Sequence, residues 1–196
     1  MAKLILEMQI SIDGYLATQK GETDWMIWNW GPNWTWDKKL QDFHTDLTLS
    51  ATHLLISRQM AEEGFMLHWR NIAERQSALG RFAGHLAKTP KTVVSSSLRK
   101  DRPIPGGWEN AYISNELVAS VTRLKMNESG NILVYGGARL VSSLLKQHLI
   151  DELYLLINPV AIGSGMTAFN DRQFFRLEGA QSYPSGVTVL HYLLDA

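Results

Sequence analysis

The sequence predicts an α/β domain built on a largely parallel sheet with an antiparallel edge. Three observations carry that expectation. Short apolar runs recur at Thr52–Ser57, Lys91–Ser95, Ile132–Tyr135 and Leu153–Ile157, each the length of a strand buried on both faces. Segments with apolar residues at helical spacing separate them. The last two extended stretches, Phe174–Leu177 and Gly186–Leu194, are joined by Tyr183-Pro184-Ser185-Gly186, which has the composition of a hairpin turn. No repeat, low-complexity tract or linker interrupts the 196 residues, so one domain over 1–196 is expected.

In chain order, Leu4-Ile5-Leu6 begins a first strand that alternates through Met8 and Ile10, with Glu7 and Gln9 between. Ser11-Ile12-Asp13-Gly14-Tyr15 then breaks it, because Gly takes positive φ freely and Asp bonds to the backbone ahead. Tyr15–Ala17 reads as extended. Leu40, Phe43 and Leu47 share a helical face with His44, and Asp37 is placed to cap that helix or favour its dipole. Met60–Trp69 has a mixed pattern. Asn71–Ala87 carries Ile72, Leu79, Phe82 and Leu86 at helical spacing and closes at Lys88-Thr89-Pro90. Ala111–Ile113 is short and extended, and Leu117, Val121 and Leu124 mark an amphipathic helix ending near Asn127–Gly130.

Composition removes several classes of function. Nineteen basic residues balance nineteen acidic ones, which gives no broad attraction to nucleic acid or to an anionic membrane. Cys is absent, so disulfides, thiolate metal sites and cysteine nucleophiles are ruled out, and a reducing cytoplasm is the expected location. The amino-terminal apolar run is too short and too polar for a signal peptide or a membrane span. The six histidines show no paired ligand spacing on a helix, so no metal is expected. Neither Ser95 nor Ser164 has a recognisable histidine and acid arrangement, which argues against a serine hydrolase.

The chemistry centres on Asn131–Gly165. There Ile132–Tyr135 runs straight into Gly136-Gly137 and then into Leu140, Val141, Leu144 and Leu145 at helical spacing. A helix amino terminus presents unpaired N–H groups and partial positive charge, so an anion can sit there if no Cβ blocks the approach. The pair is equally consistent with a tight turn alone. Ser95-Ser96-Ser97 follows another strand and is open to the same two readings: hydroxyls for phosphate or ribose, or a solvated turn. Arg58 falls at the carboxyl end of its strand, the edge where open α/β sheets bind ligands. Asp24–Trp36 holds Trp25, Trp28, Trp30, Trp34 and Trp36, five of the seven tryptophans, with Gly31-Pro32-Asn33 forbidding one continuous helix. Flat indole faces suit stacking on a heterocycle, a subunit contact, or packing. No basic track interleaves with them as single-strand binding would need.

Three features fall in order: Ser11-Ile12-Asp13-Gly14-Tyr15, then Ile132-Leu133-Val134-Tyr135-Gly136-Gly137, then Asn158-Pro159-Val160-Ala161-Ile162-Gly163-Ser164-Gly165. In that order and spacing, over essentially the whole chain, the sequence resembles the dihydrofolate reductase-like family. That family includes the carboxyl-terminal reductase domain of the riboflavin biosynthesis bifunctional deaminase-reductase. The resemblance implies a three-layer fold, with a central mostly parallel mixed sheet flanked by helices. It also implies NADPH as cofactor, with NADH possible, reduction of a small pterin-like or aminopyrimidine heterocycle, and a homodimer. The residues it assigns to the cofactor are Arg58, Ser95, Ser96, Gly136, Gly137 and Ala138. Asp13, Trp25 and Trp28 fall on the substrate side, and Asp13, Asp24 and Asp37 are candidates for the proton donor by position only.

Two departures accompany the resemblance. Where relatives read G-R-x-T-[YW], this chain reads Ser57-Arg58-Gln59-Met60, keeping only the arginine; where they read S-R-[ST], Ser96 replaces the arginine. One lost charge-assisted bond to phosphate is worth about 1.5–3 kcal/mol. Arg99, Lys100 and Arg102 are placed to compensate. A non-catalytic binding protein that keeps the fold is therefore a second expectation. The chain has no zinc-motif deaminase domain.

Overall fold

The computed structural model describes residues 1–74, 79–99, 104 and 110–194. Its strands are β1 (Leu4–Ile10), β2 (Ala51–Ser57), β3 (Lys91–Val94), β4 (Ala111–Ser114), β5 (Asn131–Tyr135), β6 (Glu152–Ile157), β7 (Arg176–Ser182) and β8 (Thr188–Leu193). Its helices are α1 (Lys38–Leu49), α2 (Arg58–Glu62), α3 (Phe65–Ala73), α4 (Gly80–Lys88), α5 (Leu117–Asn127) and α6 (Ala138–Lys146). The strands form one mostly parallel sheet in the order β4-β3-β2-β5-β1-β6-β8-β7, closed at one end by the antiparallel β7–β8 hairpin. This is the α/β architecture the apolar runs foretold. The chain packs as two compact units, each made of two sequence stretches. The first comprises Met1–Leu4 and Phe43–Gly137, the second Ile5–Asp42 and Ala138–Ala196.

In the first unit, β3 pairs in parallel with both β2 and β4, and β2 pairs in parallel with β5. Leu54, Leu55, Ile56, Val93 and Ile132 are inaccessible to solvent, as strands covered on both faces require. The expected single helix over Asn71–Ala87 is instead α3 and α4, and the mixed stretch before it supplies α2 and the start of α3. Gly64, with φ +79°, lets the chain turn into α3, whose Met66, Trp69 and Ile72 face inward. Phe82, Ala83 and Leu86 of α4 do the same. The two faces share a spacing of three to four residues, so their sequence reads as one longer helix. Trp69 and Phe82 meet edge to face at 4.9 Å, which holds α3 against α4.

Two buried polar groups brace the amino-terminal ends of these strands. Lys91 is inaccessible, and its ammonium donates to the carbonyls of Ala87 (2.9 Å) and Thr89 (2.5 Å), capping the end of α4. Burial pushes its pKa down to about 8. His53 lies 2.9 Å from the Thr92 hydroxyl and 3.2 Å from Glu128, whose other oxygen accepts from Thr52 at 2.9 Å. Burial lowers the pKa of His53; Glu128 opposes that shift and Lys91 adds to it. A Cβ on Gly130 would lie 2.6 Å from the Thr52 methyl and 3.1 Å from the Ser50 carbonyl, so only glycine closes this turn.

In the second unit, β1 and β6 run parallel, while β8 joins β6 antiparallel and β7 joins β8. Asp37 caps α1 through the N–H groups of Lys39 (3.1 Å) and Leu40 (3.3 Å). The hairpin turn is the expected one: Gly186 takes φ +90° and donates to Tyr183. Its first strand is displaced, however, from Phe174–Leu177 to Arg176–Ser182. That strand is exposed along nearly its whole length, so no alternation in RLEGAQS marks it. Glu152, buried on β6, accepts from Tyr154 at 3.2 Å and lies 3.1 Å from His191, whose ring stacks on Tyr154 at 4.1 Å.

Candidate functional site

Strand register brings the candidate residues of the first unit to one edge. Ser57 pairs with Val94 and Ile56 pairs with Tyr135, so β3, β2 and β5 end level with one another. The next residues are Ser95, Arg58 and Gly136. Parallel strands that end together leave their last backbone groups facing the same way, at the edge where such sheets bind ligands.

Local chemistry has already committed part of this edge. The Ser57 hydroxyl accepts from the Met60 N–H and caps α2. Arg58 is half-exposed and lies 3.6 Å from Glu62 one turn on. The Ser95 hydroxyl accepts from the N–H groups of Ser97 (3.2 Å) and Leu98 (3.0 Å), while Asn115 donates to the carbonyls of Ser95 (2.5 Å) and Leu98 (2.9 Å). Ser95 thus shapes its loop, and Ser96 stands exposed at the tip. Arg99 is exposed as well; Lys100 and Arg102 lie outside the described residues. Gly137 is exposed, and a Cβ there would meet only the Gln59 amide oxygen, at 3.8 Å. The approach to the turn that leads into Ala138 and α6 is open. Exposed hydroxyls, one guanidinium and an unobstructed glycine fit the phosphates of a dinucleotide.

The second unit holds the remaining candidates. Trp28 is only 2% exposed and sits at the centre of an aromatic cluster, with Trp30 and Trp34 each at 5.1 Å and Trp36 edge-on at 4.8 Å. Its indole N–H donates to the Gly31 carbonyl at 3.0 Å. Trp25, Trp30 and Trp34 are half-buried, so any open aromatic surface belongs to them. The segment is anchored from below by two buried amides. The Ile27 N–H donates to Asn158 (2.9 Å), Asn158 donates to Gln9 (3.2 Å), and Gln9 donates to the Trp28 carbonyl (2.9 Å).

Of the three acids, Asp13 braces two turns. It accepts from Ser11 (2.6 Å) and from the N–H groups of Ile162 (3.2 Å) and Gly163 (2.7 Å), tying the first turn to the 158–165 segment. The Ser11 hydroxyl is the main cause that lowers its pKa, with both N–H groups adding to the effect and partial desolvation opposing them. For Asp37 desolvation pulls upward, but donors from Ser185, Leu40 and Lys39 outweigh it and lower the pKa. Both are therefore carboxylates at neutral pH, acceptors rather than donors in this geometry. Asp24 is exposed. Among the described residues no three His, Asp or Glu side chains gather as metal ligands, and no helix is long and apolar enough to cross a membrane.

The comparison with known families decides the lineage. The sequence model of the RibD C-terminal domain matches residues 2–190. The chain belongs to the RibD C-terminal domain family. It is 26% identical over 194 residues to the uncharacterized protein YyaP of Bacillus subtilis strain 168, covering 97% of this chain and 94% of that one. A pyrimidine reductase-like protein from Corynebacterium diphtheriae superposes with a TM-score of 0.66 at 18% identity, over 100% of this chain and 92% of the other. The diaminohydroxyphosphoribosylaminopyrimidine deaminase/5-amino-6-(5-phosphoribosylamino)uracil reductase of Thermotoga maritima also gives 0.66, at 15% identity, over 99% of this chain and 57% of the larger protein. At these identities the solved structures establish a shared fold, that of RibD-like reductase domains.

Gln9, Asn158, His53 and Lys91 do not stand out as functional from the sequence. Gln9 reads with Glu7 as the polar positions of an alternating strand, and only the structure shows it 7% exposed. Asn158 reads only as the first residue of the Asn158–Gly165 segment.

Proposed function

We propose that the chain is an NADPH-dependent reductase of a small pterin-like or aminopyrimidine heterocycle, with NADH as a possible substitute. The observation that carries this reading is the level ending of β3, β2 and β5, which brings Ser95, Arg58 and Gly136 to one edge. Family membership and the reductases among its structural relatives support it.

The Gly136-Gly137-Ala138 turn, Arg58 and Ser96 hold the phosphates, and Ser95 keeps its loop in shape for Ser96. Bound NADPH supplies the hydride. The half-buried indoles around Trp28 offer flat surfaces for the substrate ring, and Asp13 ties the first turn to the 158–165 segment.

Titrating the protein with NADPH and NADH while following tryptophan emission tests the reading. Quenching with energy transfer to the nicotinamide is expected below millimolar cofactor, and its absence at millimolar cofactor rejects the proposal. A second reading, a non-catalytic binding protein, draws on the pairing of Arg58 with Glu62 and on the commitment of the Ser95 hydroxyl to its own loop. Saturable NADPH binding without turnover of any pterin or aminopyrimidine would favour it.

The proposed assembly is a homodimer in the cytoplasm. The exposed β7, with Leu177 53% accessible on it and Phe174 86% accessible just before it, supports a partner surface, and the absence of cysteine suits a reducing compartment. Sedimentation at micromolar protein tests the dimer; a monomer there removes it.

A further inference from the structure

The tryptophan segment is fastened at one place by a closed circuit of side-chain hydrogen bonds. Asn158 is inaccessible to solvent and directly follows β6; Gln9, 7% exposed, is the penultimate residue of β1. The parallel register places Gln9 beside Leu156, two residues before Asn158, so the two amides lie together at the strand ends. The circuit has one direction. The Ile27 N–H donates to Asn158 Oδ1 (2.9 Å), Asn158 Nδ2 donates to Gln9 Oε1 (3.2 Å), and Gln9 Nε2 donates to the Trp28 carbonyl (2.9 Å).

Each of the two side chains must give one hydrogen bond and accept another. A side-chain amide does both without charge, from two atoms fixed in one plane. A carboxylate cannot donate and an aliphatic residue can do neither, so either would leave a group in the circuit unsatisfied: the Trp28 carbonyl for a change at Gln9, and Gln9 itself or the Ile27 N–H for a change at Asn158. The two groups satisfied are consecutive in the chain and lie at the base of the indole cluster. Fixing them sets the direction in which Trp28 leaves the backbone, and Trp28 carries Trp30, Trp34 and Trp36 on its ring.

We infer that Gln9 and Asn158 are positioning residues that hold the tryptophan segment as a preformed platform for a flat heterocycle, acting on substrate affinity through Ile27 and Trp28. The inference rests on the reductase reading, and its test separates the two. Lumazine, a pteridine, serves as the ring probe in the full-length protein, read by tryptophan quenching; NADPH is titrated in parallel, and exchange of the Ile27 amide hydrogen reports the circuit itself.

Asn158→Leu is expected to release the Ile27 amide and Gln9→Met the Trp28 carbonyl, and each should diminish the near-ultraviolet dichroism of the indoles and weaken lumazine about tenfold, the scale of one to two buried hydrogen bonds. NADPH affinity stays within about twofold in the same variants. Asn158→Asp, which keeps the acceptor for Ile27 but not the donor to Gln9, falls between. If Asn158→Leu does not fold, Gln9→Met decides alone. Unchanged lumazine affinity with a released Ile27 amide in Asn158→Leu, or with diminished indole dichroism in Gln9→Met, overturns the inference and leaves the reductase reading standing. So does a parallel loss of NADPH and lumazine affinity, which would mark a merely structural role. Failure of the intact protein to bind lumazine while binding NADPH overturns the platform; failure to bind NADPH removes the reductase reading and the inference with it.

Discussion

The strand-end edge of the first unit and the tryptophan segment of the second use polar side chains in opposite ways. At the edge, Ser57, Arg58 and Ser95 are partnered within four residues of themselves: Ser57 with Met60, Arg58 with Glu62, Ser95 with Ser97 and Leu98. Under the tryptophans, Asn158 reaches Gln9 and Ile27 across 149 and 131 residues. Locally partnered groups keep their loop in shape even when a ligand arrives or leaves, and they can exchange a neighbour for a phosphate at low cost. Distantly partnered groups fix a surface only when the whole fold is present. An open edge with locally partnered groups and a clamped surface held by distant ones are different devices, and substitutions should affect them differently.

The largest expected effect lies in the clamped unit. A Cβ on Gly165 would lie 2.2 Å from the Ala17 carbonyl oxygen, which as backbone cannot yield easily. Gly165→Ala should therefore cost about 3 kcal/mol in urea unfolding, the upper range for overpacking. Stability within 1 kcal/mol of the parent would show that this segment gives way more readily than its contacts suggest. On the open edge, Gly137→Ala meets only a flexible amide at 3.8 Å. Its unfolding free energy should stay within about 0.5 kcal/mol of the parent. Its NADPH dissociation constant should rise about tenfold by fluorescence titration, since the added methyl occupies the approach to the phosphates.

A smaller effect comes from pH. The Lys91 pKa in the folded state, about 8, lies below its ordinary 10.5, so between those values the unfolded chain binds more protons than the folded one. Folded-state stability should rise as pH climbs through that window, and thermal melts of Lys91→Met should lose that rise. The smallest effect is Arg58→Ala. Breaking an exposed pair one helical turn apart should change stability by about 0.3–0.5 kcal/mol. If NADPH affinity is also unchanged, Arg58 does not hold the cofactor and the edge works through backbone and hydroxyls alone.

What could be read ahead of the structure follows from the range of each signal. The parallel strands announce themselves because Leu54–Ile56 and Ile132–Val134 are buried on both faces and must be apolar. The glycine turn after β5 is legible because glycine itself marks an open backbone. β7 escapes because an exposed strand needs no pattern, and α3 with α4 reads as one helix because both bury a face of the same period. The Gln9–Asn158 circuit could not be read at all: each amide alone is an ordinary polar residue, and their pairing exists only once β1 and β6 lie side by side. Asp13 carries a readable turn signal, but its bonds to Ile162 and Gly163 belong to the same class of distant partnership.

The division of each unit into two sequence stretches has a consequence for the ribosome. Gln9 emerges 149 residues before Asn158, and at about 5–20 residues per second that is a wait of about 7–30 s. Throughout it β1 lacks β6, its parallel partner, and the four clustered tryptophans have no amide circuit beneath them. A nascent chain therefore carries its most aromatic segment without that anchor for most of its synthesis. A transcript ending short of Asn158 would yield a protein that never leaves that state.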